Sequence, residues 1–121
     1  MLSEKRTVLV VEDEILIRTC TADFLEDAGY RVLEAANGSE ALKILRHHPE
    51  IALLLTDVNM PGGPDGLTVA ENASWQNPDI RTVVVSGKRP LRDDQIPGGG
   101  RFVAKPYSPQ QIIDTVGMLL A

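Results

Sequence analysis

Four runs of branched apolar residues each end on residues that could do chemistry. Val8–Val11 leads into Glu12 and Asp13, and Ile51–Leu55 leads into Thr56 and Asp57. Val83–Val85 leads into Ser86, and Phe102–Ala104 leads into Lys105. Crowded carboxylates need a counter-charge, and Mg²⁺ is a hard cation that accepts carboxylates while keeping waters. An aspartate can also act as a nucleophile and carry an acyl phosphate. Phosphoryl transfer then requires charge neutralisation on the equatorial oxygens. A cation can cover one, the Lys105 ammonium another and the Ser86 hydroxyl a third. The set therefore reads as a cation-assisted phosphoryl site in which an aspartate could serve as the acceptor.

Each residue alone is weaker evidence. A single Asp after a strand is usually a turn or a helix cap, a Ser before Gly a turn, and a Lys before Pro a surface charge. Only the joint pattern carries the reading. Glu14 is assigned to the first turn of a helix, where the dipole favours acids, rather than to the metal. His47 and His48 fall in a solvated helix end with no further metal ligand placed nearby. Cys20 reads as a small packing residue, and Trp75 as cover for the edge of a helix. Lys88, Arg89, Arg92, Asp93 and Asp94 read as a solvated loop.

The elements that must position these residues alternate in type. Thr7–Val11, Arg31–Ala35, Ile51–Thr56, Arg81–Val85 and Arg101–Ala104 are short and apolar nearly throughout, as in strands covered on both faces. Between them lie helical patterns. In Glu14–Ala28, the residues Ile17, Thr21, Phe24, Leu25 and Ala28 share one face. A second helix opens at Ser39 and carries Ala41, Leu42 and Leu45; a third runs from about Leu67 to Trp75. The last starts with Ser108 as cap, Pro109 in the first turn and Gln111 at the capping-box position. Its inner face includes Ile112, Val116 and Leu119 or Leu120. This order predicts an α/β fold with a parallel sheet, right-handed crossovers and helices on both faces. All strand C-termini then emerge on one edge, where ligands bind. The stretch SGKRPLRDDQIPGGG breaks the pattern, and its prolines and glycines leave room for little more than a turn near Leu91–Gln95.

Bulk properties exclude several classes. A chain of 121 residues is one domain, here taken as 1–121. Its apolar runs are far too short to span a bilayer, and MLSEKRT has no signal-peptide pattern. One cysteine forbids an internal disulfide and suits a reducing cytoplasm. A net charge of −5 and 4% aromatic residues argue against direct nucleic-acid binding.

VLVVEDE, LLLTDVNMPGGPDG, VVVSG and FVAKP, in that order, resemble the receiver domain of bacterial two-component response regulators across essentially the whole chain. The resemblance implies a flavodoxin-like five-stranded sheet of order 2-1-3-4-5. It implies that Asp57 accepts a phosphoryl group from a phosphohistidine on a histidine kinase or phosphotransfer protein. It implies Mg²⁺ held by Glu12, Asp13, Asp57 and the backbone carbonyl of Asn59, a phosphate-pairing Lys105, and a cis bond before Pro106. Ser86 matches the switch hydroxyl and Phe102 the switch aromatic. The chain departs from the family pattern in three places. Phe102 has no hydroxyl, MPGGPDG is one residue longer than usual, and Ser86 to Lys105 is shorter, which predicts a shortened or irregular fourth helix on the usual output face.

The expectation is a phosphorylation-driven signalling switch rather than an enzyme, with output by contact with another protein. The Met1 start favours a stand-alone protein over the terminal receiver of a hybrid kinase. A small Mg²⁺-dependent aspartyl-phosphate phosphatase is the rival of another class. Such an enzyme needs a second Asp two residues after the nucleophile, where this chain has Asn59. A phosphorylation-independent interaction module is a second rival, disfavoured by the intact acids and lysine.

Overall fold

A computed structural model describes residues 5–88 and 90–121 of the chain; Arg89, in the loop expected to be solvated, lies outside the described residues. Strands β1 (Thr7–Val11), β2 (Arg31–Ala35), β3 (Ile51–Asp57), β4 (Arg81–Ser86) and β5 (Arg101–Ala104) alternate with helices α1 (Ile15–Asp27), α2 (Gly38–His47), α3 (Gly66–Gln76) and α4 (Pro109–Leu119). The five strands pair in parallel in the order β2-β1-β3-β4-β5, the doubly wound flavodoxin-like arrangement.

The apolar runs of β1, β3 and β4 are buried on two faces because alternate residues point to opposite sides of the sheet. The edge strands β2 and β5, expected to be covered alike, are only partly buried. Val8, Val10, Leu53, Leu55, Val83, Val85 and Val103 face Leu25 of α1 and Ile112 and Val116 of α4. Leu9, Val11, Ile51 and Leu54 face Ala41 and Leu45 of α2 and Val69, Ala70 and Ala73 of α3. No helix among the described residues is long and apolar enough to cross a membrane.

Helix starts moved relative to the sequence reading wherever a cap was overlooked. α2 begins at Gly38 because Asn37 accepts from the Glu40 N–H at 2.8 Å, so Ser39 lies inside the helix. α3 begins at Gly66 because Asp65 accepts from the Thr68 N–H at 2.9 Å. α4 starts as expected, with Ser108 accepting from the Gln111 N–H at 3.1 Å. On α1 the buried residues are Thr21, Ala22 and Leu25, while Ala28 is exposed.

The expected irregularity between β4 and β5 is present. Two 3-10 turns, Asp93–Gln95 and Pro97–Gly99, stand between these strands instead of a helix. Gly98 and Gly99 have φ of 72° and 70°, a conformation that ends any helical run. Ile96 plugs the sheet in place of a helix face, 4% exposed against Val84 and Val58, with Leu91 and Phe102 packed around it. Asp93 fastens the turn to the edge strand by accepting from the Phe102 N–H at 2.9 Å.

Candidate functional site

The parallel sheet brings Glu12, Asp13, Asp57, Ser86 and Lys105 to one edge, although they span most of the sequence. β3 and β4 each extend one residue further than the sequence pattern suggested, so Asp57 and Ser86 are the last residues of their strands. The Asp57 loop turns tightly. Val58 N–H donates to the Val85 carbonyl at 3.0 Å, and Gly66 N–H donates to the Val58 carbonyl at 2.9 Å. A Cβ on Gly66 would collide with the Asp57 carbonyl, so glycine is required for α3 to start beside the site.

Oxygens of the Glu12, Asp13 and Asp57 carboxylates lie within 4.8 Å of one another. Glu12 is 3% exposed and Asp57 7%, whereas Asp13 is exposed. The Lys105 Nζ donates to Asp57 Oδ2 at 2.7 Å and to Glu12 Oε1 at 2.8 Å. Asp57 Oδ1 also accepts from the Asn59 N–H at 3.3 Å, and Glu12 Oε2 from the Glu14 N–H at 3.2 Å. Ser86 is buried, with its Oγ accepting from the Lys88 N–H at 3.3 Å and its carbonyl from the Lys105 N–H at 3.0 Å. A cleft of about 630 Å³ opens over these groups, bordered by Asp13, Asp57, Asn59, Lys88 and Lys105. The Lys105–Pro106 bond is cis.

Glu14, Cys20 and Trp75 sit differently from the sequence reading. Glu14 is the N-cap residue of α1 rather than a first-turn residue; its side chain makes no cap hydrogen bond, and it borders the cleft beside Asp13. Phe102 is half-buried in the cluster of Val58, Val84 and Ile96, as a packed aromatic. His48 pairs with Glu50 and His47 with the Lys43 carbonyl, so neither histidine joins a cluster. Cys20 is exposed rather than packed, and Trp75 is 84% exposed.

Electrostatics follow from burial. Desolvation raises the Glu12 carboxyl above its ordinary value, and the hydrogen bond from Lys105 offsets part of that rise. Burial alone would lower the Lys105 ammonium, but the hydrogen bonds to Asp57 and Glu12 outweigh it and hold the lysine above its usual value. Lys105 is therefore a cation throughout the physiological range. Because the Glu12 value is raised on folding, its contribution to stability is fully present below the ordinary carboxylate range and is lost as pH rises through the folded value. In chelator, Glu12→Gln should therefore gain stability relative to the wild type as pH rises from about 4.5 towards neutrality. Urea midpoints across that range test the sign; a flat difference would contradict it.

These features define a receiver domain of two-component signalling. The sequence profile described as the response regulator receiver domain matches residues 8–117, and the chain belongs to that family. It is 37% identical over 98% of its length to the sensor kinase CckA of Brucella abortus, of which it spans 13%. It is 29% identical to the response regulator receiver protein CpdR of Brucella abortus, covering 95% of this chain and 97% of that one. Among solved structures, a response regulator receiver protein from Sinorhizobium medicae superposes with a TM-score of 0.89 at 29% identity, covering 97% and 95% of the two chains. The receiver domain of hybrid histidine kinase CckA superposes with a TM-score of 0.84 at 34% identity, covering 95% and 99%.

Receiver domains bind Mg²⁺ at an acidic cluster, and the donors here suit that ion. All are hard oxygens, and three carboxylates facing one ammonium leave net negative charge for a divalent cation to balance.

Proposed function

We propose that this receiver accepts a phosphoryl group from a phosphohistidine of a histidine kinase or phosphotransfer protein onto Asp57, and signals by changing its contacts with another protein. The observation that carries the reading is the nearly buried Asp57 carboxylate, 2.7 Å from Lys105 and gathered with Glu12 and Asp13 at the mouth of an open cleft. Glu12, Asp13, Asp57 and the backbone carbonyl of Asn59 would hold Mg²⁺. Bound there, the ion supplies neutralisation of charge on the acceptor and on a phosphoryl oxygen.

Asp57 Oδ attacks phosphorus, forming a P–O bond as the P–N bond to the donor imidazole breaks. Lys105 leaves its carboxylate partners to pair with a phosphoryl oxygen. Ser86 turns its hydroxyl towards another, and that movement biases the loops after β4 and β5 between two arrangements. Phe102, on the edge strand β5 and packed against Val58, Val84 and Ile96, is the aromatic placed to feel that movement. An apolar surface beside the cleft supports docking of the donor protein there. An apolar groove of about 640 Å³ runs between α1 and the segment after β5, bordered by Leu16, Ile17, Phe24, Pro106 and Tyr107. Leu16 stands 78% exposed there, and Ile15, next to it in the chain, is 64% exposed. Such signalling belongs in the cytoplasm.

Incubation with acetyl phosphate tests this function. The expected result is Mg²⁺-dependent incorporation approaching one phosphoryl group per chain, without steady turnover of phosphate esters. Sustained ester hydrolysis would instead indicate a phosphatase. Incorporation that is unaffected by chelator would remove the metal from the reading.

A further inference from the structure

Arg18 on α1 has no part in the chemistry above, yet it reaches the acidic loop. Its Nη1 donates to the backbone carbonyl of Glu12 at 2.8 Å, and its Nε lies 3.3 Å from Glu34 Oε1 on β2. The Arg18 side chain is only 16% exposed, so the guanidinium is held in place rather than trailing in solvent. α1 itself does not reach that carbonyl, because the helix begins at Ile15 and its first turn closes from the Arg18 N–H onto the Glu14 carbonyl. The Glu12 oxygen instead receives a charge-assisted hydrogen bond from the side chain six residues on.

That oxygen belongs to the peptide joining Glu12 to Asp13, and a peptide is planar. Holding the oxygen sets the plane, and the plane sets the directions in which the two flanking side chains leave the backbone. On the other side of Glu12, its N–H donates to the Ala35 carbonyl of β2 at 3.1 Å. β2 also carries Glu34, so one strand anchors both ends of the arrangement. Asp13 is exposed and has little packing to orient it, so its carboxylate depends on that backbone plane.

We propose that Arg18, oriented by Glu34, is a positioning residue for cation binding, fixing the Glu12–Asp13 peptide so that both carboxylates face Asp57. The inference rests on the reading that these three carboxylates take Mg²⁺. A group that orients metal ligands without touching the metal commonly changes affinity by about 10–100-fold when removed.

The test is Mg²⁺ titration of the full chain followed by backbone amide shifts, with the Glu12 carbonyl ¹³C resonance recorded in chelator. Arg18→Met keeps the aliphatic stem and removes the donors; it should weaken Mg²⁺ binding about 10-fold and move the Glu12 carbonyl resonance before any metal is added. Arg18→Lys keeps the charge without the planar fork, so it should recover only part of the affinity. Glu34→Gln, which leaves the site untouched, should fall between wild type and Arg18→Met. If Arg18→Met does not fold, Glu34→Gln decides the matter alone. Wild-type affinity in a folded Arg18→Met, or an unmoved Glu12 carbonyl, overturns the positioning role. A wild-type protein that fails to bind Mg²⁺ at all would instead overturn the reading of the site.

Discussion

Replacing Asp57 by Asn should reduce Mg²⁺-dependent labelling by acetyl phosphate, or by a phosphohistidine donor, to background. The amide is nearly the same size and can still receive the Asn59 N–H, so the loop should keep its shape. What disappears is the anionic oxygen that would form the bond to phosphorus, for which a neutral amide is no substitute. The cation site loses a carboxylate as well, and Mg²⁺ affinity should fall by at least about 10-fold. Folding should not suffer. Asp57 is 7% exposed among two other acids, so removing its charge relieves desolvation and repulsion that offset the lost ion pair with Lys105, which keeps Glu12 as its partner. The variant should be at least as resistant to urea as wild type in chelator. Undiminished labelling of this variant would place the acceptor elsewhere, and mass mapping of the labelled peptide would say where.

Lys105→Met carries the second large effect, and it separates stability from chemistry. One ammonium serves two buried carboxylates, at 2.7 Å and 2.8 Å. Deleting it leaves Glu12 and Asp57 facing each other uncompensated. Loss of one partner from a buried pair costs about 3–5 kcal/mol, and the one-fifth exposure of the Lys105 side chain argues for less, about 1–3 kcal/mol. Mg²⁺ should then stabilise the variant more than it stabilises wild type, because the ion takes over the missing charge. Labelling should slow by about 100-fold, the usual cost of losing one preorganised donor to a developing anion. Equal Mg²⁺ stabilisation in the two proteins, measured by thermal melts with and without chelator, would show that lysine and cation do not share these carboxylates.

The placement of the reactive groups was legible from local pattern to an unusual degree. Apolar runs without alternation meant strands buried on both faces, and in a parallel sheet such strands must deliver their last residues to a single edge. That alone brought Glu12, Asp13, Asp57, Ser86 and Lys105 together. Pro97 and the glycines from Gly98 to Gly100 announced that no full helix would cover β4 and β5, and the two 3-10 turns bear this out. Cap chemistry was read correctly at Ser108 and overlooked at Asn37 and Asp65, short polar residues that each stand before a glycine.

Pairing is what the linear chain withheld. Lys105 bonds across 93 residues to Glu12 and across 48 to Asp57 at once, a choice made only when β5 lies two strands from β3. Nothing in the linear sequence marks Arg18, because neither Glu34 nor the Glu12 carbonyl is its neighbour until β2 pairs with β1. Glu14 was given to the first turn of α1, yet the helix begins one residue later and the side chain stands at the cleft. Residue type and short-range period determine which elements form and which side chains end up at their tips. The distances and partners that set charge, position and protonation arise from contacts between elements remote in sequence, and packing of the sheet against its helices decides those.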